Sequence, residues 1–182
     1  MQASTLKDLS APSLAALGIR SQDAPHVLAT LIDRSPLPVT TLIQALADTD
    51  LSITVTRTGE RPLNVSEAHL LDAPLMTACR WRTARLETTG GELAAGVFLL
   101  WLPSRLDAGT CKELDAGTEP AGVILSRLGM RRAQRRAVAV SVIDEITGED
   151  ASVRSRAVLA VGGQAIAIAK EDFMTAFVET LA

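Results

Sequence analysis

The sequence predicts an α+β domain in which helices cover an antiparallel sheet of roughly six strands. Three observations predict it. Up to about Asp50 the apolar residues recur at helical spacing, and from Leu51 the runs become β-branched with a period of two. Those later runs are joined by short glycine-containing turns, which suit hairpins and not the long crossovers of a parallel sheet. With 182 residues, 47% of them apolar and 21% charged, the chain has length enough for a core of its own and is too apolar to be disordered throughout. It reads as a single domain over residues 1–182, with 1–50 as its mainly helical part and 51–182 as the sheet with connecting helices.

In chain order, "SQDAPHVLATLIDR" begins with Ser21 as an N-cap and places Val27, Leu28, Leu31 and Ile32 on one helical face. A second helix is expected in "SPLPVTTLIQALAD", where Leu42, Ile43 and Leu46 share a face. "LSITVTRTGERPLNV" is read as a hairpin turning at Thr58 to Glu60. "CRWRTARLETTGGELAAGVFLLWLP" reads as two longer strands around Gly90-Gly91, a dipeptide that tolerates the positive φ of a tight turn. Residues 104–129 return to helix and loop signals, with a short helix after Pro120 that stops near Gly129. Three more strands follow in "RRAVAVSVIDE", "SVRSRAVLAV" and "QAIAIAK", and then "DFMTAFVETLA", read as a C-terminal helix or as partly strand.

Composition narrows the function classes. A formal net charge of -3 and an estimated pI of 5.4 argue against a nucleic-acid partner, which favours a basic face. The opening "MQASTLKDLSAPS" has no apolar stretch of secretory-signal length. The most apolar run, "LAAGVFLLWLP", is far short of the ~20 residues that span a bilayer, so no membrane partner is expected and a cytoplasmic location is the default. Cys79 and Cys111 have no CxxC spacing, and His26 and His69 stand far apart; no metal site, disulfide framework or Ser-His-Asp triad is suggested.

Strand alternation sorts the remaining candidates by face. In the last strand Ala165, Ala167, Ala169 and Glu171 share one side, with Lys170 and Asp172 on the other. A face of alanines leaves room that either a closely packed helix or a ligand fills. In "CRWRTAR", Cys79, Trp81, Thr83 and Arg85 share a face, opposite Arg80, Arg82 and Ala84. Arg85 is then either a bidentate carboxylate contact or an ordinary surface arginine. The basic stretch "RLGMRRAQRR", with Arg127, Arg131, Arg132, Arg135 and Arg136, reads as a solvated loop and helix end, and "TTGGE" lacks the spacing of a phosphate loop.

Four segments in order resemble the chorismate lyase family and the related UTRA ligand-binding domains: "RLETTGG", "EPAGVILSRLG", "RSRAVLAVGGQAI" and "AKEDF". The resemblance implies a cofactor-free carbon-oxygen lyase that eliminates pyruvate from chorismate to leave 4-hydroxybenzoate. It casts Arg85 as the substrate-carboxylate arginine and Glu171 as the catalytic glutamate. Trp81, Thr83, Gly122, Ala167 and Ala169 are the expected substrate-binding residues, and the partner is a small anionic or aromatic carboxylate. Two departures stand out: no charged residue lies near Ala95 and Gly96, and Lys170 replaces the family's threonine. They leave room for a same-fold enzyme with another small substrate, or for a non-catalytic UTRA-like domain, although no basic winged-helix unit is evident ahead of the sheet.

Overall fold

The computed structural model describes residues 14–182; the residues read above for a secretory signal, 1–13, lie outside the described part. A single six-stranded antiparallel sheet organises it, built from β1 (Leu51–Pro62), β2 (Ala78–Thr88), β3 (Leu93–Trp101), β4 (Arg131–Ile143), β5 (Asp150–Val161) and β6 (Gln164–Met174). The strand order is β1-β2-β3-β6-β5-β4. Two three-strand meanders thus face each other and join in the middle, where β3 pairs with β6. The short turns at Gly91 (φ 83) and at Gly162 and Gly163 (φ 59 and 84) close two of the hairpins in the left-handed region that glycine enters without strain.

Helices α1 (Ala24–Arg34) and α2 (Val39–Ala47) precede the sheet, α3 (Val65–Leu71) follows β1, α4 (Ala108–Ala116) and α5 (Ala121–Ser126) link the meanders, and α6 (Thr175–Thr180) ends the chain. One face of the sheet carries α1, α2 and α6 over Leu86, Ala95, Val153 and Phe173. The same face carries α4 and α5 over Leu99, Trp101, Ala157, Ala167 and Ala169. The other face is covered in part by α3, through Ala68 and Leu71 against Cys79, Leu100 and Val158.

Three local expectations are corrected. Residues 51–62 form one strand and not a hairpin: the chain bulges between Val55 and Arg57 and continues. Gly59 serves packing there, since a Cβ would lie 2.7 Å from Cζ2 of the Trp81 ring that covers it. Helix α3 was not anticipated, yet its start is written locally. Asn64 accepts from the Glu67 amide at 2.9 Å while Glu67 accepts from the Asn64 amide at 3.0 Å, a reciprocal capping box. Of the basic stretch expected to be a loop and helix end, Arg127 does end α5, but the rest is the start of edge strand β4, interrupted by a bulge between Ala133 and Arg136 with Gln134 at φ 44.

Candidate functional site

A cavity opens between the two halves of the helical layer, above the middle of the sheet. Its floor is Ile53, Leu86, Val97, Leu99, Leu159 and Ala169; Pro38 to Thr40 and Pro120 to Gly122 form its roof, and Arg82, Arg132 and Glu171 are its charged side chains. Both roof segments begin helices at a proline, Pro38 before α2 and Pro120 before α5, whose fixed φ directs each chain into its first turn. The segments meet at a seam, because a Cβ on Gly122 would lie 3.2 Å from that of Pro38. The volume open to the centres of water molecules is about 40 Å³, room for a few waters.

The register decides which side chains reach this space. Ala84, Val97, Glu171 and Ser155 are aligned across four strands, as are Arg82, Leu99, Ala169 and Ala157 one step along. Arg82 is 2% exposed and donates to the Leu114 carbonyl at 2.5 Å and the Glu119 carbonyl at 3.2 Å, tying the end of α4 to the segment before Pro120. Arg132 donates to the Ile32 carbonyl and to the Ser155 hydroxyl, each at 3.1 Å. Burial holds both guanidinium groups below their usual pKa, and neither forms an ion pair with another described residue.

Glu171 is the third charged side chain of the cavity. Burial pushes its carboxyl above the ordinary range, against the opposing pull of Arg132 and of a hydrogen bond with Ser155. Its Oε2 is shut off from solvent with no hydrogen-bond partner, one of three such side-chain atoms among the described residues. A buried oxygen left this way costs about 1–3 kcal/mol. Val39 and Thr40, in the first turn of α2, which has no side-chain cap, line the same space. The cavity therefore combines apolar walls, two desolvated cations and one unmet carboxyl oxygen.

Against the sequence expectations, Gly122, Ala169 and Glu171 line the cavity, and Ala167 is buried in the sheet beside it. Arg85 does not join them. It pairs in register with Gly96 and through it with Asp172, on the face opposite Glu171. Trp81 and Thr83 share that opposite face, where Trp81 stacks on Phe98 with ring centroids 6.4 Å apart. The expected pairing of Arg85 with Glu171 is therefore corrected: strand alternation puts the Arg82 side of β2 under the cavity. Ala165 also leaves the alanine face, because a register shift between Leu159 and Ala160 precedes it. The opposite-face placement of Asp172 holds; it accepts from Arg154 at 2.8 and 2.7 Å and lies 3.3 Å from Lys170. Arg132 was missed because a bulged strand was read as a loop.

Solved structures that resemble this sheet and its helical cover share little sequence with it. The effector domain of PhnF from Mycobacterium smegmatis matches with a TM-score of 0.59 at 12% identity, covering 77% of this chain and 91% of that one. A ligand-binding domain of a GntR-family transcriptional regulator from Bordetella bronchiseptica matches with a TM-score of 0.55 at 13% identity, over 69% and 86%. This is the UTRA and chorismate lyase-like fold. Within that fold, the chain also matches PhnF itself with a TM-score of 0.58 at 10% identity, covering 88% of this chain and 83% of the other. No protein-family model and no curated protein sequence matches the chain. The expected carbon-oxygen lyase is corrected on these grounds: the UTRA-like neighbours are ligand-binding and effector domains of regulators, and the arginine assigned to the substrate lies on the wrong face. No helix among the described residues is long and apolar enough to cross a membrane.

Proposed function

We propose that this chain is a non-catalytic small-molecule-binding domain whose cavity between α2, α5 and the sheet holds the ligand. The observation that carries this reading is the buried, unpartnered Oε2 of Glu171 beside the cavity-lining Arg132. A polar network left incomplete in a mostly apolar cavity is completed by what enters it. The ligand is a small organic acid with an apolar, flat or compact body. Its acid group is held by Arg132 and the first-turn amides of α2, and a hydroxyl or other donor meets Glu171. Two arginines against one carboxyl leave an excess of positive charge that a monoanion offsets. The regulator domains of the same fold named above support a role in which occupancy is the output.

The test is direct. Protein purified under non-denaturing conditions is extracted and its retained small molecules identified by mass spectrometry, alongside a melting-temperature screen with 4-hydroxybenzoate and other hydroxyaryl and aliphatic acids. Ala169→Leu, which fills the floor of the cavity, is expected to abolish retention and any ligand-induced shift while keeping the fold. A retained acid bound equally well by Ala169→Leu would place its site elsewhere, and the absence of any retained or stabilising acid would sink the reading.

A further inference from the structure

The route by which occupancy of this cavity is felt elsewhere rests on two arginines whose side-chain directions a regular strand would separate. Arg132 and Arg135 are three residues apart, so simple alternation would send them to opposite faces of the sheet. The bulge between Ala133 and Arg136, with Gln134 in the left-handed region at φ 44, adds the residue that turns both toward α1. Arg132 donates to the Ile32 carbonyl at 3.1 Å. Arg135 donates to the Ser35 carbonyl at 2.6 Å and the Arg34 carbonyl at 3.2 Å. The C-terminal carbonyls of α1, which the helix itself leaves unmet, are taken up by one bulged stretch of β4.

The chain pinned this way runs directly into the roof of the cavity. From Ser35 it passes to Pro38, Val39 and Thr40, and Pro38 lies so close to Gly122 across the seam that a Cβ there would sit 3.2 Å from its own. With the seam as it stands, only about 40 Å³ is open to the centres of water molecules. We infer that residues 35–40 form a lid, that Arg132 and Arg135 are its latch, and that a ligand acid group drawn to Arg132 competes with the Ile32 carbonyl and so couples occupancy to the end of α1. This rests on the proposed ligand reading for its meaning, but the latch itself is testable without a ligand. Arg135 is the member that holds the lid without lining the cavity, which separates latching from ligand contact.

The experiment measures how often the cavity opens in ligand-free protein. The thiol introduced by Ala169→Cys on the cavity floor is labelled with N-ethylmaleimide, and its rate is followed by mass spectrometry. Cys79, buried on the opposite face of the sheet, serves as the internal reference. Adding Arg135→Ala removes two carbonyl contacts and is expected to accelerate labelling at position 169 about tenfold with the Cys79 rate unchanged. Arg135→Lys keeps the charge but loses the fork geometry, and is expected to give a smaller acceleration; it decides the matter if the alanine variant does not fold. Equal rates at position 169 with and without either substitution, or equal acceleration at Cys79, would overturn the latch. A labelling result in favour with no retained acid would leave the latch standing and remove the ligand reading, and the reverse result would do the opposite.

Discussion

Glu171 and Asp172 are adjacent carboxylates on opposite faces of β6, and the structure gives their neutralisation opposite consequences. Asp172 is fully buried and held by Arg154 in a two-point contact, with Lys170 alongside. Replacing it by Asn leaves the buried end of Arg154 without its counter-charge, a change that costs about 3–5 kcal/mol for a fully buried pair. Arg154 is 25% exposed, so the lower end, about 3 kcal/mol, applies, and at ~2–4 °C per kcal/mol for a domain of this size the melting temperature should fall by about 6–12 °C. Glu171→Gln instead removes a carboxyl that burial already disfavours when ionised, and should leave stability at neutral pH equal to or above the wild type. The pH profiles differ in sign as well. Burial raises the Glu171 carboxyl, so the unfolded chain gives up this proton first; wild-type stability declines relative to Glu171→Gln as pH rises from the ordinary value of 4.5 through the folded value. For Asp172, burial pushes upward but the Arg154 and Lys170 contacts outweigh it and the folded value lies below 3.8. Its stabilisation is complete above that pH and is lost as pH falls through the folded value. Urea unfolding of both variants between pH 3 and 8 reads all of this. Similar losses for the two substitutions at pH 7 would refute the opposite-face reasoning.

Other positions test the frame that holds the site. Gly96→Ala should destabilise by about 2–3 kcal/mol in urea titration, because a Cβ there comes within 2.7 Å of the Asp144 Cγ and displaces a carboxylate that accepts from the amides of Ile146 and Thr147. Asn64→Ala should cost about 1 kcal/mol through loss of the capping box of α3, and Asn64→Gly much less; equal losses would point away from the cap. None of these substitutions touches the cavity, so ligand retention should survive all three.

The course of most strands could be read from the sequence because period-two alternation and glycine turns are local signals. Those signals gave the hairpins around Gly90-Gly91 and Gly162-Gly163, and the opposite directions of Glu171 and Asp172. Alternation alone also sorted β2 correctly into an Arg82 side and an Arg85 side; it could not say which side the helices cover. The choice of Arg85 came from the resemblance, and the register overruled it. Gly59 looked like a turn because its reason for being glycine, the Trp81 ring over it, lies on another strand.

By itself the sequence determined the α+β class, the antiparallel pairing and the side of β6 that carries Ala167, Ala169 and Glu171, since each follows from spacing along one segment. Only the tertiary structure decided that two meanders join at β3 and β6, that Arg82, Arg132 and Glu171 line one cavity, and that a bulge at Gln134 turns Arg132 and Arg135 toward the same helix end. Those outcomes depend on which carbonyls and side chains from distant segments compete for one buried space, and a linear pattern carries no record of that competition.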